Sequence, residues 1–199
     1  MQLRIPLIVF TIIVVSAILF LIPNSLQKFA FSGQYLFNGE FWRLITFNFT
    51  HINFIHLIEN IIALVVAALL AYELDLRGNY FLIAFLLSAV TIALAEAMFF
   101  PLIIIAGASL GIYAILGSIS VKGSNFFPRS ALIIMFIASI FLGYVINLIT
   151  CTDCVNKNIF IQSIFHFFGL LAGMLTFYFY LQYQKSTKKS LLSVENGKS

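Results

Sequence analysis

Residues Ile103 to Gly117 read IIIAGASLGIYAILG: small residues and one hydroxyl, Ser109, set between runs of Ile and Leu. The apolar character does not stop at the ends of this stretch. Segments rich in Leu, Ile and Phe extend on both sides, and the whole 199-residue chain is 62% hydrophobic and 9% charged, with 23 Phe. Its mean hydropathy is +1.06. A soluble domain carries about 25% charged residues, so this composition excludes one and points to an integral membrane protein.

A hydrocarbon layer about 30 Å thick needs roughly 20 apolar residues per crossing helix. Six segments are predicted to qualify: Ile5 to Ile22, Phe54 to Tyr72, Tyr80 to Phe100, Leu102 to Val121, Ala131 to Thr150 and Ile159 to Tyr183. The expected fold is all-α, a single six-helix membrane domain over residues 1–183, followed by a short basic tail over 184–199 that is read as a solvated, mobile end. The first apolar run is too long for a signal-peptide core and lacks a small-residue cleavage site, which favours a retained first helix.

The Lys and Arg distribution sets the orientation. With the N-terminus inside, the inner side collects Arg4, Arg77, Lys122, Arg129, Lys185, Lys188, Lys189 and Lys198, against Lys28, Arg43 and Lys157 outside. Both termini are therefore expected on the cytoplasmic side. The formal charge of +4 is read as a topology signal and an attraction to anionic lipid, not as a nucleic-acid footprint. Cys151 and Cys154, in CTDC on the predicted outer loop between the fifth and sixth helices, are read as a local staple or two free thiols. With no second Cys pair or nearby His, a metal site is disfavoured.

The depth of each polar residue follows from this topology. Thirteen residues separate Ser109 from an anchor at Lys122, a rise of about 20 Å at 1.5 Å each, which leaves Ser109 on the order of 10 Å below the outer surface of a roughly 30 Å core. His166, eight residues beyond Asn158, reaches about 12 Å by the same rise. His56 and Asn60, at i and i+4, share a helix face in that outer half, and His51 just before them brings all three histidines of the chain to one layer.

A serine hydroxyl needs a base to become a nucleophile, and imidazole is the usual one. Ser109 and His166 are thus a candidate dyad, with His56, Asn60 and the Ser109 backbone N–H available to an oxyanion. The AGAS break puts Ser109 at a helix start, where free N–H groups and the helix dipole favour developing negative charge. Gly107 allows the turn, while Gly111, Gly117, Gly169 and Gly173 permit close helix approach. Taken singly, each feature has an ordinary structural reading: a membrane serine commonly bonds a carbonyl one turn back, and the histidines and Asn60 can be packing groups. Glu59 and Glu96 are read as polar packing or neutral acids. GASLG also satisfies G-x-S-x-G, but that motif belongs on a strand-turn-helix of an α/β sheet. HLIEN lacks the second His of a zinc protease. No cofactor and no metal is expected.

The pattern as a whole resembles the rhomboid intramembrane serine proteases. The resemblance runs from GEFWRLITFNFTHINFIHLIEN through GASLGIYAILG to HFFGLLAG, from Gly39 to Gly173 and in the family's order. It implies a Trp42-Arg43 pair in the first outer loop, and His51, His56 and Asn60 on or before the second helix, the later His and the Asn serving the oxyanion. It further implies Ser109 as nucleophile, Tyr113 packing on the catalytic imidazole, and His166 as base. The family commonly has glycine directly after the serine, where this chain has Leu110, and often a small residue before the histidine, where it has Phe165. The implied activity is a serine endopeptidase that cleaves transmembrane segments of membrane proteins from within the bilayer of a bacterial or archaeal plasma membrane. The rival, favoured by Leu110, is a non-cutting relative that binds transmembrane helices as a chaperone or adaptor. Solute transport is disfavoured because the polar residues occupy only the outer half.

Overall fold

The computed structural model describes residues 4–150 and 156–196; Cys151 and Cys154 lie outside the described residues. The architecture among these residues is helical: α1 (Ile5–Leu21), α2 (Ser25–Phe29), α3 (Gly33–Phe37), α4 (Arg43–Thr46), α5 (Phe54–Glu73), α6 (Gly78–Phe99), α7 (Ser109–Lys122), α8 (Arg129–Thr150) and α9 (Asn156–Asn196), with 3-10 turns at Phe47–Phe49 and Gly123–Asn125. By length and composition, four of these helices can cross a membrane, through the apolar stretches Phe54–Glu73, Gly78–Phe99, Arg129–Ile146 and Asn158–Thr187. The apolar α1 is shorter.

One expectation is corrected. The predicted fourth segment, Leu102 to Val121, is helical only from Ser109. Residues 102–108 instead run as connecting chain whose backbone groups find partners outside any helix. Phe31 and Ile105 form an antiparallel bridge, with N–H to carbonyl distances of 2.9 and 2.7 Å, and the Gly107 N–H donates to the Phe47 carbonyl at 2.9 Å. Gly107, at φ +115°, breaks a helix through this stretch. The remaining α7, about 21 Å long at 1.5 Å per residue, is shorter than the hydrocarbon layer and is buried on nearly every side from Leu110 to Ser120, as expected of a helix apolar all round. The described part of the tail is helical. No Gly or Pro interrupts the sequence between Gly173 and Gly197, and α9 continues through Lys185 to Asn196.

α7 is the central post, and α9 is its closest neighbour. A Cβ on Gly117 would overlap the Leu170 carbonyl, one on Gly173 the Ala114 carbonyl, and one on Gly169 would lie 3.0 Å from the Leu110 carbonyl oxygen. These three glycines allow the two backbones to touch, the small-residue packing that membrane helices use when burial alone supplies no drive. A buried polar stitch adds direction. The Ser118 hydroxyl shares its proton between the carbonyls of Ala114 in its own helix and Gly173 across the interface, at 3.0 and 3.1 Å, and the Tyr80 hydroxyl of α6 lies 2.7 Å from Ser118 Oγ.

The chain between α1 and α5 folds as a unit around Arg43. This buried side chain donates to the carbonyls of Ala30 at 2.8 Å and Gln27 at 2.7 Å. It also pairs with Glu40 at 2.7 Å and sits 3.8 Å from the centre of the Tyr35 ring. Thr46 Oγ1 donates to Phe29 O at 2.9 Å. The outer surface of this unit exposes Phe37, Phe41, Trp42 and Ile45. Arg43→Ala leaves two carbonyls and a carboxylate without their donor and is expected to cost about 3 kcal/mol, read as a fall in the thermal unfolding midpoint in detergent. Arg43→Lys restores only part, since an ammonium cannot reproduce the planar fork.

Candidate active site

The site begins with a backbone requirement at Gly107. Its φ of +115° is strained for any side chain, and a Cβ there would lie 2.8 Å from His56 Cε1 and 3.1 Å from His56 Nε2. Only glycine lets the chain turn this close to the His56 ring. Two residues later α7 starts at Ser109, with Ala108 as an N-cap that offers no side-chain acceptor. The first-turn N–H groups of a helix have no intrahelical acceptor, so α7 presents donors and the positive end of its dipole beside the Ser109 hydroxyl.

From α9, His166 reaches the same point: Ser109 Oγ and His166 Nε2 are 2.8 Å apart. The glycine contacts between α7 and α9 make this distance possible, because Gly169 follows His166 by one turn. Tyr113, one turn after Ser109, stacks on the imidazole with ring centroids 5.0 Å apart and 29° between planes. The stack holds the ring plane while Ser109 engages its Nε2.

α5 supplies the facing wall. Asn53 caps the helix, accepting the His56 N–H at 2.8 Å, and Asn60 Nδ2 donates to the His56 carbonyl at 2.8 Å, which leaves the second amide hydrogen of Asn60 uncommitted. His56 Nδ1 and Asn60 Oδ1 have no protein partner among the described residues. His51 packs edge-on against His56 at 5.4 Å. Burial, reinforced by the neighbouring His56, lowers the His51 pKa to about 3, so this imidazole is neutral.

Ser109, His166, Tyr113, His56 and Asn60 all line one cavity of about 530 Å³, whose other walls include Ile62 and Val66 of α5 and Met135 and Phe136 of α8. His51 does not line it; it backs His56 from behind. Three contributors escaped the sequence reading. Gln162, one turn before His166, donates to the Ile104 carbonyl at 3.0 Å and ties α9 to the chain entering Ser109. The Phe31–Ile105 bridge holds that same chain from the opposite side, and the Phe47 carbonyl holds Gly107. The i, i+4 spacing of Gln162 and His166 was a usable signal for the first; the other two are pairings between distant backbone groups, for which the sequence carries no mark.

A hydroxyl hydrogen-bonded to a stacked imidazole, beside a helix N-terminus and uncommitted amide donors, is an arrangement suited to acyl transfer. None of the curated proteins matches the chain. The family model described as Rhomboid domain matches residues 38–183, a span that contains Arg43, His51, His56, Asn60, Ser109, Tyr113 and His166, and the chain belongs to the rhomboid family.

Proposed function

We propose that this protein is an intramembrane serine endopeptidase that cleaves transmembrane segments of other membrane proteins with a Ser109-His166 dyad. The observation that carries the reading is the 2.8 Å contact between Ser109 Oγ and His166 Nε2, made inside a cavity of an apolar helix bundle. Membership of a family whose proteins are generally intramembrane serine proteases supports it.

His166 Nε2 takes the Ser109 proton as Oγ attacks the scissile carbonyl. The oxyanion receives hydrogen bonds from the Ser109 N–H, the free amide hydrogen of Asn60 and His56. His166 then returns the proton to the leaving amine, and water, deprotonated by His166, hydrolyses the acyl-enzyme. Tyr113 keeps the imidazole in plane, and His51 supports His56.

Six segments cross the membrane in this reading, α1, α5, α6, the 102–122 segment containing α7, α8 and α9, with residues 1–183 as the membrane domain, 184–199 as the tail and both termini cytoplasmic. The Lys and Arg excess at the inner ends supports that orientation. The membrane is the plasma membrane of a bacterium or archaeon, its lipid is in direct contact with the protein, and no cofactor, metal or nucleic acid takes part. Substrate helices are cleaved where they unwind easily, since helical carbonyls are shielded. Entry between α5 and α8 fits the cavity walls and the loose packing of α8, of whose apolar stretch only 11% is buried.

Leu110 motivates the rival, a helix-binding relative that does not cut. Its side chain is buried in an apolar cluster that includes Phe47, Ile105 and Phe165, so the bulk after the serine, and that of Phe165 before the histidine, is taken up in packing. The expected outcome is that a fluorophosphonate labels Ser109 in the wild-type protein. Leu110→Gly is expected to be labelled no faster and to be less stable by roughly 4 kcal/mol. A wild type that stays unlabelled and becomes reactive as Leu110→Gly would establish the rival.

A further inference from the structure

The lining of the cavity beside Ser109 includes Glu59 of α5 and Glu96 of α6 and, among the described residues, no Lys or Arg. Glu96 is 1% exposed, and its Oε1 has no protein partner among the described residues. Its neighbourhood is apolar: Ala93, Ala97, Ile105, Leu110 and Phe165 belong to the cluster built around this end of α6. A buried polar group without a hydrogen bond is costly, and a buried charge more so unless it is paired. Glu59, half-buried and one residue before Asn60, offers a second acceptor on the facing wall of the same cavity.

We propose that Glu96, with Glu59, recognises a lysine or arginine side chain carried by the substrate segment within about one helical turn of the bond presented to Ser109. The inference rests on the reading of this cavity as the place where substrate is held. A cation on a transmembrane segment is itself destabilised in hydrocarbon; in the cavity it meets Glu96, whose Oε1 has no protein donor among the described residues, and each offsets the other's desolvation. A segment with leucine at that position leaves Glu96 as it was. Discrimination arises because the unpaired group is in the site and is left unsatisfied by an apolar side chain.

The test uses binding, which does not require cleavage. Full-length Ser109→Ala protein in detergent is titrated with fluorescent single-span peptides in which one lysine, or leucine as its counterpart, is moved through a central helical turn. The best lysine peptide is expected to bind roughly tenfold tighter than its leucine counterpart, the low end of what an unpaired buried group gives, and Glu59→Gln together with Glu96→Gln is expected to bring it down to the leucine level. Equal binding of the lysine and leucine series overturns the proposal, as does a preference that survives the double variant. So does a Glu96→Met protein that loses both peptides alike, the mark of a structural or water-holding role. Should Glu96 variants not fold, Glu59→Gln alone is expected to reduce the preference, and no reduction counts against it. Failure of the protease reading is seen separately, as absence of fluorophosphonate labelling in the wild type.

Discussion

Ser109→Ala is expected to abolish cleavage of a single-span reporter in detergent, a loss of roughly 10⁴ to 10⁶ in kcat by comparison with soluble serine hydrolases, while moving the unfolding midpoint little. The two effects separate because the Ser109 hydroxyl makes its side-chain hydrogen bond to His166 and holds no helix in place. His166→Ala is expected to cost a similar factor in kcat, and also some stability, since it removes the ring on which Tyr113 stacks and opens space between α7 and α9. The double variant should be no slower than either single one, because nucleophile and base act as a unit. Initial rates with the purified variants, together with fluorophosphonate labelling, check this. Cleavage retained by Ser109→Ala would refute the nucleophile assignment, whatever happened in His166→Ala.

Gly173→Ala carries the largest expected structural effect. One methyl group there would overlap the Ala114 carbonyl and lie 2.7 Å from the Ala114 Cα. These are backbone atoms in the middle of a buried helix, so they cannot rotate away as a side-chain end would. α9 has to move off α7, which breaks the Ser118 to Gly173 hydrogen bond and draws His166 away from Ser109. Overpacking of this kind is expected to cost about 3 kcal/mol and to abolish labelling of Ser109 in whatever protein remains folded. Gly117→Ala, which meets the Leu170 carbonyl, should behave the same way. Gly143→Ala is the contrast: a Cβ there meets nothing within 4 Å, and replacing a helical glycine should raise stability by up to about 1 kcal/mol. Thermal unfolding of the three variants in one detergent distinguishes a packing requirement from a general intolerance of substitution.

The membrane class and the helical segments were legible because each rests on local chemistry, and the candidate site was legible as polar side chains at fixed spacings whose catalytic role stands as a proposal. Uninterrupted apolar length marks Phe54–Glu73 and Gly78–Phe99 as helices wherever they pack, and the i, i+4 pair His56 and Asn60 shares a face by helix geometry alone. The convergence of Ser109 and His166 on one depth also followed from counting residues against anchors. What counting missed was where helix gives way to chain. Residues 102–108 are nearly as apolar as a helix core; Gly107 breaks the helix locally, and the Phe31 backbone and the Phe47 carbonyl, both more than fifty residues away along the chain, hold the stretch in its non-helical course.

By its sequence alone this protein is committed to a bilayer and to a set of long apolar helices, because hydrophobicity acts residue by residue; helical rise adds only the expectation of a serine, three histidines and an asparagine at a common level. Tertiary structure alone decided that residues 102–108 pair with the backbone of Phe31 and Phe47, that the imidazole of α9 comes within hydrogen-bonding distance of the Ser109 hydroxyl, that His51 packs on His56 outside the cavity lining, and that the Oε1 of Glu96, a residue of that lining, has no protein partner among the described residues. Those outcomes depend on which backbone atoms touch across helices, and a contact set by a missing methyl group in one helix and a carbonyl in another is a property of the pair.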